Sequence, residues 1–433
     1  MLSPDARRED PMESISGPGV GLRDVARRRF LKRGVQLGAA LAAGATRSAA
    51  GQSAPAPAPD DPSRVLGNPM KPYGDRSRFD TAVKQKAPTE MPDEWGGNFT
   101  PLDVTLGTIT PSALHFEVCA GGVPDIDPRK HRLLIHGMVD RPLILTVDEI
   151  RRLPSRSQVY FLECEGNTRS EWRPSQAAPT VQLTHGLTSC SEWTGVALSL
   201  LLREAGVQKD ASWIVPEGAD AQGAERSIPL SKAMDDVLVA YGQNGEAPRP
   251  GNGFPLRLVV PGWAGSANVK WLRRITVADR PYMTRVESPT RTSLMPDGQA
   301  RQFMFVMDAK SVITSPSGGH RLGGSGFYEI RGLAWSGRGS VRRVEVSVDG
   351  GKIWRDAKLQ TPVLRLAHTR FRFDWRWDGR EAVLQSRCTD ETGYVQPTLA
   401  ELVKVRGLNS IYHNNAIQGW KVAADGNVQN ANS

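Results

Sequence analysis

The chain has 433 residues and a formal charge of +9. That length exceeds one ordinary hydrophobic core, so two domains are expected. Residues 1–50 hold nine Lys/Arg against five Asp/Glu, so +4 of the charge lies there and +5 is spread over the rest without a basic block; this pattern, lacking aromatic residues that alternate with basic ones, speaks against nucleic-acid binding.

In chain order, Arg27-Arg28-Arg29-Phe30-Leu31-Lys32 leads into a Gly- and Ala-rich run from Gly34 to Ala45. The run is well short of the ~20 residues that span a bilayer, and Ser48, Ala49 and Ala50 offer a cleavage site. The segment predicts a twin-arginine export signal over residues 1–50, delivery of a folded protein to the periplasm and no membrane anchor. That route suits a protein that takes up a cofactor in the cytoplasm. Residues 51–90, with Ala-Pro repeats from Ala54 to Pro59, read as a linker or extended arm lying over the domain surface.

A mixed α+β domain is expected over residues 91–285. The pattern predicts strands over 132–139, 158–162 and 255–261, the last bracketed by Pro255 and Pro261. Helices are predicted over 147–153, before Pro154, and over 194–205, closing at Gly206. From near Ala309 the pattern changes. Val344, Val346 and Val348 alternate with polar residues up to Asp349-Gly350-Gly351, and Phe371, Phe373, Trp375 and Trp377 alternate up to Asp378-Gly379. Period two with Gly-containing turns predicts half-buried antiparallel ribbons. With Leu333-Ala334-Trp335 before them, an immunoglobulin-type β-sandwich is expected over residues 300–420. The polar tail after Ile417 is expected to be loosely held.

Four cysteines, Cys119, Cys164, Cys190 and Cys388, allow two disulfides and three connectivities in an oxidising compartment. Their spacing matches neither a disulfide scaffold nor a zinc site, and without a CxxCH sequence no covalent haem is expected on this chain. Cys164 stands just past an apolar strand, at a Gly166-Asn167 turn. Its thiolate is a soft ligand suited to a redox metal, and Arg169 and Arg173 are expected to favour the anion. Cys164 reads equally as a small buried core thiol; no papain-like flanking motif accompanies it.

Phe161-Leu162-Glu163-Cys164-Glu165-Gly166-Asn167 resembles the molybdenum-ligand segment of the sulfite oxidase family. Residues 193–206, Tyr241-Gly242-Gln243-Asn244-Gly245-Glu246, Gly253-Phe254-Pro255-Leu256-Arg257-Leu258-Val259-Val260-Pro261-Gly262 and Asn268-Val269-Lys270-Trp271-Leu272-Arg273-Arg274 resemble that family in the same order. Three further segments resemble its sulfane dehydrogenase branch: 106–112, 122–128 and 410–417.

The resemblance implies a mixed α/β molybdopterin domain followed by a β-sandwich dimerisation domain, with a molybdenum-molybdopterin cofactor. Cys164 would be the one protein ligand to molybdenum, with further sulfurs from the pterin dithiolene. Arg257 would take the pterin phosphate through its planar, permanently charged fork. Asn268, Val269 and Lys270 would grip the cofactor, Asp220 and Phe116 would contact it, and Arg169 would attract an anionic substrate. Two departures stand out. After Phe116 the family has an arginine and a histidine, where this chain reads Glu117-Val118-Cys119-Ala120; Cys119 then lies near the site, either as a reactive thiol or as an inert buried one. Asn252 replaces the histidine of sulfite oxidases and keeps hydrogen-bonding capacity.

By the same resemblance the activity is a two-electron oxidation of sulfur. The substrate would ride on a cysteine of a sulfur-carrier protein, and the electrons would leave through a separate c-type cytochrome subunit. The sandwich would form a homodimer within a heterotetramer. A sulfite dehydrogenase, and a non-catalytic scaffold subunit holding the cytochrome, are the alternatives.

Overall fold

The computed structural model describes residues 68–87, 92–221, 223, 225–410 and 412–432. The expected export signal and half of the expected linker lie outside the described residues, as does Ile411. Residues 68–76 belong to a separate unit, in which Lys71 and Asp75 form an ion pair. The unit Ser77–Ser433 carries every strand and helix named here.

Three sheets build its first part. Strands β1 (Gln85–Lys86), β2 (Trp95–Phe99) and β3 (Glu117–Ala120) form a small antiparallel sheet, which ties down the end of the arm. Gln182 Nε2 donates to Val83 O at 3.0 Å and Lys84 pairs with Glu117 at 2.7 Å, so this stretch lies on the domain surface. The second sheet has β4 (Arg132–Gly137), β5 (Leu143–Thr146), β8 (Trp213–Gly218), β9 (Ile228–Pro229) and β12 (Leu272–Ala278), in the order β5-β4-β12-β8-β9. Its β4–β12 pair is parallel; its other pairs are antiparallel.

The third sheet carries the site. It has the order β11-β10-β7-β6, with β6 (Ser155–Glu163), β7 (Thr188–Ala197), β10 (Leu238–Gln243) and β11 (Arg257–Val259). Here the expected helix over 194–205 needs correcting. Residues 194–197 finish strand β7, and only α3 (Leu198–Ala205) is helical; the shorter helices α1 (Val147–Arg151) and α2 (Val181–His185) precede it. β7 is paired on both sides, with β6 and β10, and buries Trp193 and Val196 fully. That sheet environment overrides the local helical pattern. In α3, Leu198, Leu201, Leu202 and Ala205 are buried at helical spacing, and Gly206, at φ 71°, ends the helix.

The second part is the expected sandwich. After the hairpin of β13 (Ser293–Leu294) and β14 (Ala300–Arg301), β15 (Lys310–Ser315), β16 (Gly326–Trp335), β19 (Lys358–Leu359) and β20 (Thr369–Trp377) form one sheet in the order β15-β16-β20-β19. The other sheet, β18-β17-β21-β22-β23, comprises β17 (Val341–Ser347), β18 (Arg355–Asp356), β21 (Ala382–Asp390), β22 (Gly419–Val422) and β23 (Val428–Asn430). On β20, Phe371, Trp375 and Trp377 are buried while Arg372, Asp374 and Arg376 face out, as period two requires. The sandwich core does not stop at the domain boundary: Phe161 of β6 packs in the same apolar cluster as Trp335, Phe371 and Trp420.

The tail after Ile417 is not loose. β22 and β23 complete the second sheet, Trp420 is fully buried and donates through Nε1 to Ile313 O at 2.9 Å, and Asn430 Nδ2 donates to Ala178 O at 2.8 Å. A single tryptophan in a polar sequence carries too weak a periodic signal to announce a strand. Among the described residues, all four cysteines are free and no helix is long and apolar enough to cross a membrane.

If the tail is structural, Trp420→Ala should lower the unfolding free energy by about 3–5 kcal/mol, the usual cost of truncating a buried tryptophan. The midpoint of urea unfolding reads this directly, and an unchanged midpoint would return the tail to a surface appendage.

Candidate active site

Cys164 follows the last residue of β6, where the strand breaks into a tight turn. Its N–H donates to Leu187 O at 2.9 Å, and Asn167 N–H donates back to Cys164 O at 2.9 Å. A neighbouring loop presses on this turn through Gly265. A Cβ at Gly265 would lie 2.8 Å from Glu163 O and 3.0 Å from Cys164 Cα, so only glycine fits without displacing the cysteine.

The thiol stands where two cavities meet. One, of about 150 Å³, runs from Cys164 past His115, Phe116 and Cys119 to Asp220, Asn252, Arg257, Asn268, Val269 and Lys270. The other, of about 610 Å³, opens outward past Val118, Gly166, Arg169 and Tyr412 between the faces of Trp95 and Leu187. Cys164, Val118 and Arg291 line both.

Two cations, Arg257 and Lys270, line the inner cavity, and neither forms an ion pair among the described residues. Arg257, on β11, is 5% exposed, and burial pulls its pKa down to about 9. It donates to Asn252 O at 2.8 Å and Asn268 O at 3.1 Å and lies 4.8 Å from the Trp193 ring, but it forms no ion pair among the described residues. Its Nε, the Asn252 Oδ1 and the His115 Nε2 are buried without partners. His115 is kept neutral, first by burial and then by Arg257, with its pKa pushed down to about 3. Lys270 is half-buried, and burial lowers its pKa; its Nζ donates to Val118 O at 2.9 Å and Gly251 O at 3.0 Å and lies 3.2 Å from Cys119 Sγ. Gly253, at φ 110°, lets this loop turn against Lys270, where a Cβ would meet the Lys270 Cα at 3.2 Å.

Around the thiol the charges are different. Burial and then the Glu165 carboxylate push Cys164 up to about 12, opposed by the Gly166 N–H and Arg291. The expectation that Arg169 and Arg173 favour the thiolate is therefore overturned. Both arginines are exposed, where water screens them, and the desolvated thiol sits beside a carboxylate instead. Burial alone would raise Glu165, yet Arg291 and Arg226 hold it at about 2. Arg291 forms an ion pair with Glu165, donates to Tyr412 Oη at 3.0 Å and stacks 4.7 Å from its ring.

Two family models match the chain: the oxidoreductase molybdopterin binding domain over residues 120–286 and the Mo-co oxidoreductase dimerisation domain over residues 301–419. The mitochondrial sulfite oxidase of Rattus norvegicus is 32% identical over 349 residues, which cover 73% of this chain and 63% of that protein. The NADH nitrate reductase of Ulva prolifera is 33% identical over 276 residues, 57% of this chain and 32% of that protein. The sulfane dehydrogenase SoxCD from Paracoccus pantotrophus is 44% identical, with a TM-score of 0.82 over 85% of this chain and 96% of that one. The chain belongs to the sulfite oxidase family.

The residues present fit the molybdopterin that this family's domain binds. A desolvated guanidinium with an unpartnered Nε awaits an anion, and a soft sulfur ligand lies at the other end of the same cavity. The fold gathers Phe116, Cys119, Asp220, Asn252, Arg257, Asn268, Val269 and Lys270 around the inner cavity and places Arg169 in the outer cleft. Arg257 and Lys270 both line the inner cavity. Sequence reasoning missed His115, Glu165, Arg226, Arg291 and Tyr412. Glu165 adjoins Cys164 and was within reach, whereas Arg291 is 126 residues away from Glu165 and has no local signal.

The raised thiol gives a pH prediction for the cofactor-free chain. Only the thiolate is alkylated, so the iodoacetamide rate at Cys164 should climb about tenfold per pH unit from pH 8 to 11, where an ordinary cysteine plateaus near 8.5. Because the folded pKa exceeds the unfolded one, this group's contribution to stability is present below about pH 8.5 and is lost as pH rises toward 12. A rate plateau near pH 8.5 would contradict the desolvated thiol.

Proposed function

We propose that the chain is the periplasmic molybdenum subunit of a sulfane dehydrogenase, which oxidises sulfane sulfur held on a carrier protein and passes the electrons to a c-type cytochrome subunit. The observation that carries this reading is the position of Cys164 between a small cavity lined by Arg257 and Lys270 and a larger outer cleft. The likeness to the Paracoccus pantotrophus sulfane dehydrogenase across 96% of that chain supports the choice within the family.

When bound, the molybdenum–pterin group supplies the two-electron redox chemistry. Arg257 and Lys270 would neutralise the phosphate end, a charge-assisted contact made strong by burial. Asn252, Asn268 and His115 would offer hydrogen bonds along the cavity, Asp220, Phe116 and Val269 would line it, and Cys119 would contact the cofactor beside Lys270. Cys164 would ligate the metal as a thiolate and lose its proton as it binds, because a metal cation outweighs the desolvation that otherwise keeps the thiol neutral.

The outer cleft suits a substrate delivered on a protein arm. Trp95, Val118, Leu183 and Leu187 give it apolar walls, glycines 96, 97 and 166 leave room for a backbone, and Arg169 supplies one exposed positive charge near Cys164. Docking of a carrier would do the work that an ionic trap does for a small free anion. The twin-arginine segment supports export of the loaded, folded protein, and the sandwich would join two copies within a heterotetramer with the cytochrome.

Elemental analysis of the exported protein tests the cofactor site. Wild type should hold near-stoichiometric molybdenum, and Cys164→Ser should be inactive. Arg257→Met should lower occupancy about 10- to 100-fold, the worth of a charge-assisted hydrogen bond of about 1.5–3 kcal/mol. Absence of metal from folded, exported wild type would overturn the reading. With a recombined cytochrome, carrier-bound sulfane should be oxidised in preference to free sulfite; equal rates would make the chain a sulfite dehydrogenase.

A further inference from the structure

The sandwich reaches the cysteine turn through a buried ion pair. Glu163, the residue before Cys164, is fully buried, and Lys310, at the start of β15, is 1% exposed. Lys310 Nζ lies 2.5 Å from Glu163 Oε1, and Trp335 Nε1 donates to Glu163 Oε2 at 2.7 Å. Lys310 and Trp335 are directly opposed across the antiparallel β15–β16 pair, so their side chains leave the sheet on one face and converge on a single carboxylate. That carboxylate also accepts from Asn167 Nδ2 at 3.0 Å, while Asn167 Oδ1 accepts from Leu187 N–H at 3.1 Å. Lys310 Nζ further donates to Thr168 Oγ1 at 3.3 Å. Both ends of the turn that presents Cys164 are thus tied to one group, and that group is tied to the other domain.

We propose that Lys310 and Trp335 are positioning residues for Cys164, acting through Glu163, so that the sandwich sets the direction in which the thiol points into the cavity. The inference rests on Cys164 as the metal ligand of the proposed function. A pair that only joined two domains would have no need to share its carboxylate with Asn167 on the far side of the turn. Nor would it sit on the residue adjoining the ligand.

The test uses the full chain with its cofactor. Trp335→Phe keeps one aromatic ring and the ion pair while removing the N–H and the smaller half of the buried indole; Lys310→Met removes the cation. If the two residues position the ligand, both variants should keep molybdenum but shift or split the Mo(V) electron paramagnetic resonance signal. They should also lose about 10- to 100-fold in kcat at an unchanged KM, the usual effect of removing support behind a metal ligand. In cofactor-free chain, alkylation of Cys164 at fixed pH should change severalfold in rate in the same variants, a readout that holds even if the proposed substrate is wrong. Wild-type spectra, kcat and alkylation in folded Trp335→Phe would overturn the proposal and leave the pair as a bolt between domains. Should Lys310→Met fail to fold, Trp335→Phe decides alone. Wild type that carries no molybdenum would defeat the proposed function instead, with the alkylation rates still deciding this inference.

Discussion

The site depends on a guanidinium taken out of water with nothing to neutralise it. Arg257 is inside the protein, stacked by Trp193 and held by two backbone carbonyls, and no carboxylate answers its charge. Carbonyls take up two of its terminal donors but leave Nε unmet and the charge itself desolvated, an unfavourable setting that an anionic ligand would relieve. Lys270 adds a second cation in the same cavity, and His115 is held neutral there by burial and by Arg257. An anionic group is the occupant such a pocket selects.

At the other end of the cavity the electrostatics run the opposite way. Glu163, Glu165 and a desolvated thiol crowd a short turn, and each carboxylate is matched by a cation from a distant part of the chain: Lys310 for Glu163 and Arg291 for Glu165. A buried pair of this kind adds little net stability, because desolvation of both partners consumes the attraction, yet loss of one partner is severe. Its physical value is geometric. Glu163 fixes the turn from the sandwich side, and Gly265 fixes it from the cavity side by leaving no space for a side chain.

Much of this architecture was legible in the sequence, for reasons that can be named. The sandwich strands announce themselves because one face is buried and the other wet, as in Phe371–Trp377, and Gly-containing turns punctuate them. The Cys164 segment is legible because strand, cysteine, glycine and asparagine are contiguous. Besides Cys164, the predicted inner-cavity residues come from four separate stretches, around Phe116–Cys119, Asp220, Asn252–Arg257 and Asn268–Lys270, and resemblance was what grouped them. What stayed hidden was decided by contacts between remote residues. Residues 194–197 look helical until β6 and β10 pair on either side of them. Trp420 has only Ile417, Val422 and alanines as apolar residues close by in sequence, too short a pattern to announce a strand, and finds its core across the sandwich. The charge state of Cys164 was misread because Arg169 and Arg173 are close in sequence but lie in solvent, while Glu165 and the protein interior decide the outcome.

Cys164 and Arg257 then form one device. Without a metal the thiol keeps its proton, so the turn carries no thiolate beside Glu165 and the local charge stays balanced by Arg291 and Lys310. On the proposed reading, a soft cation at Cys164 would let the proton leave, and a phosphate would answer Arg257. A metal alone would satisfy the first demand and leave the second unmet; a phosphate alone would do the reverse. Only a group that carries both, at the two ends of one cavity, relieves the cost at each. On the proposed reading, the two unfavourable electrostatic environments would favour the intact cofactor over either of its parts, before any shape-specific contact with the pterin is counted.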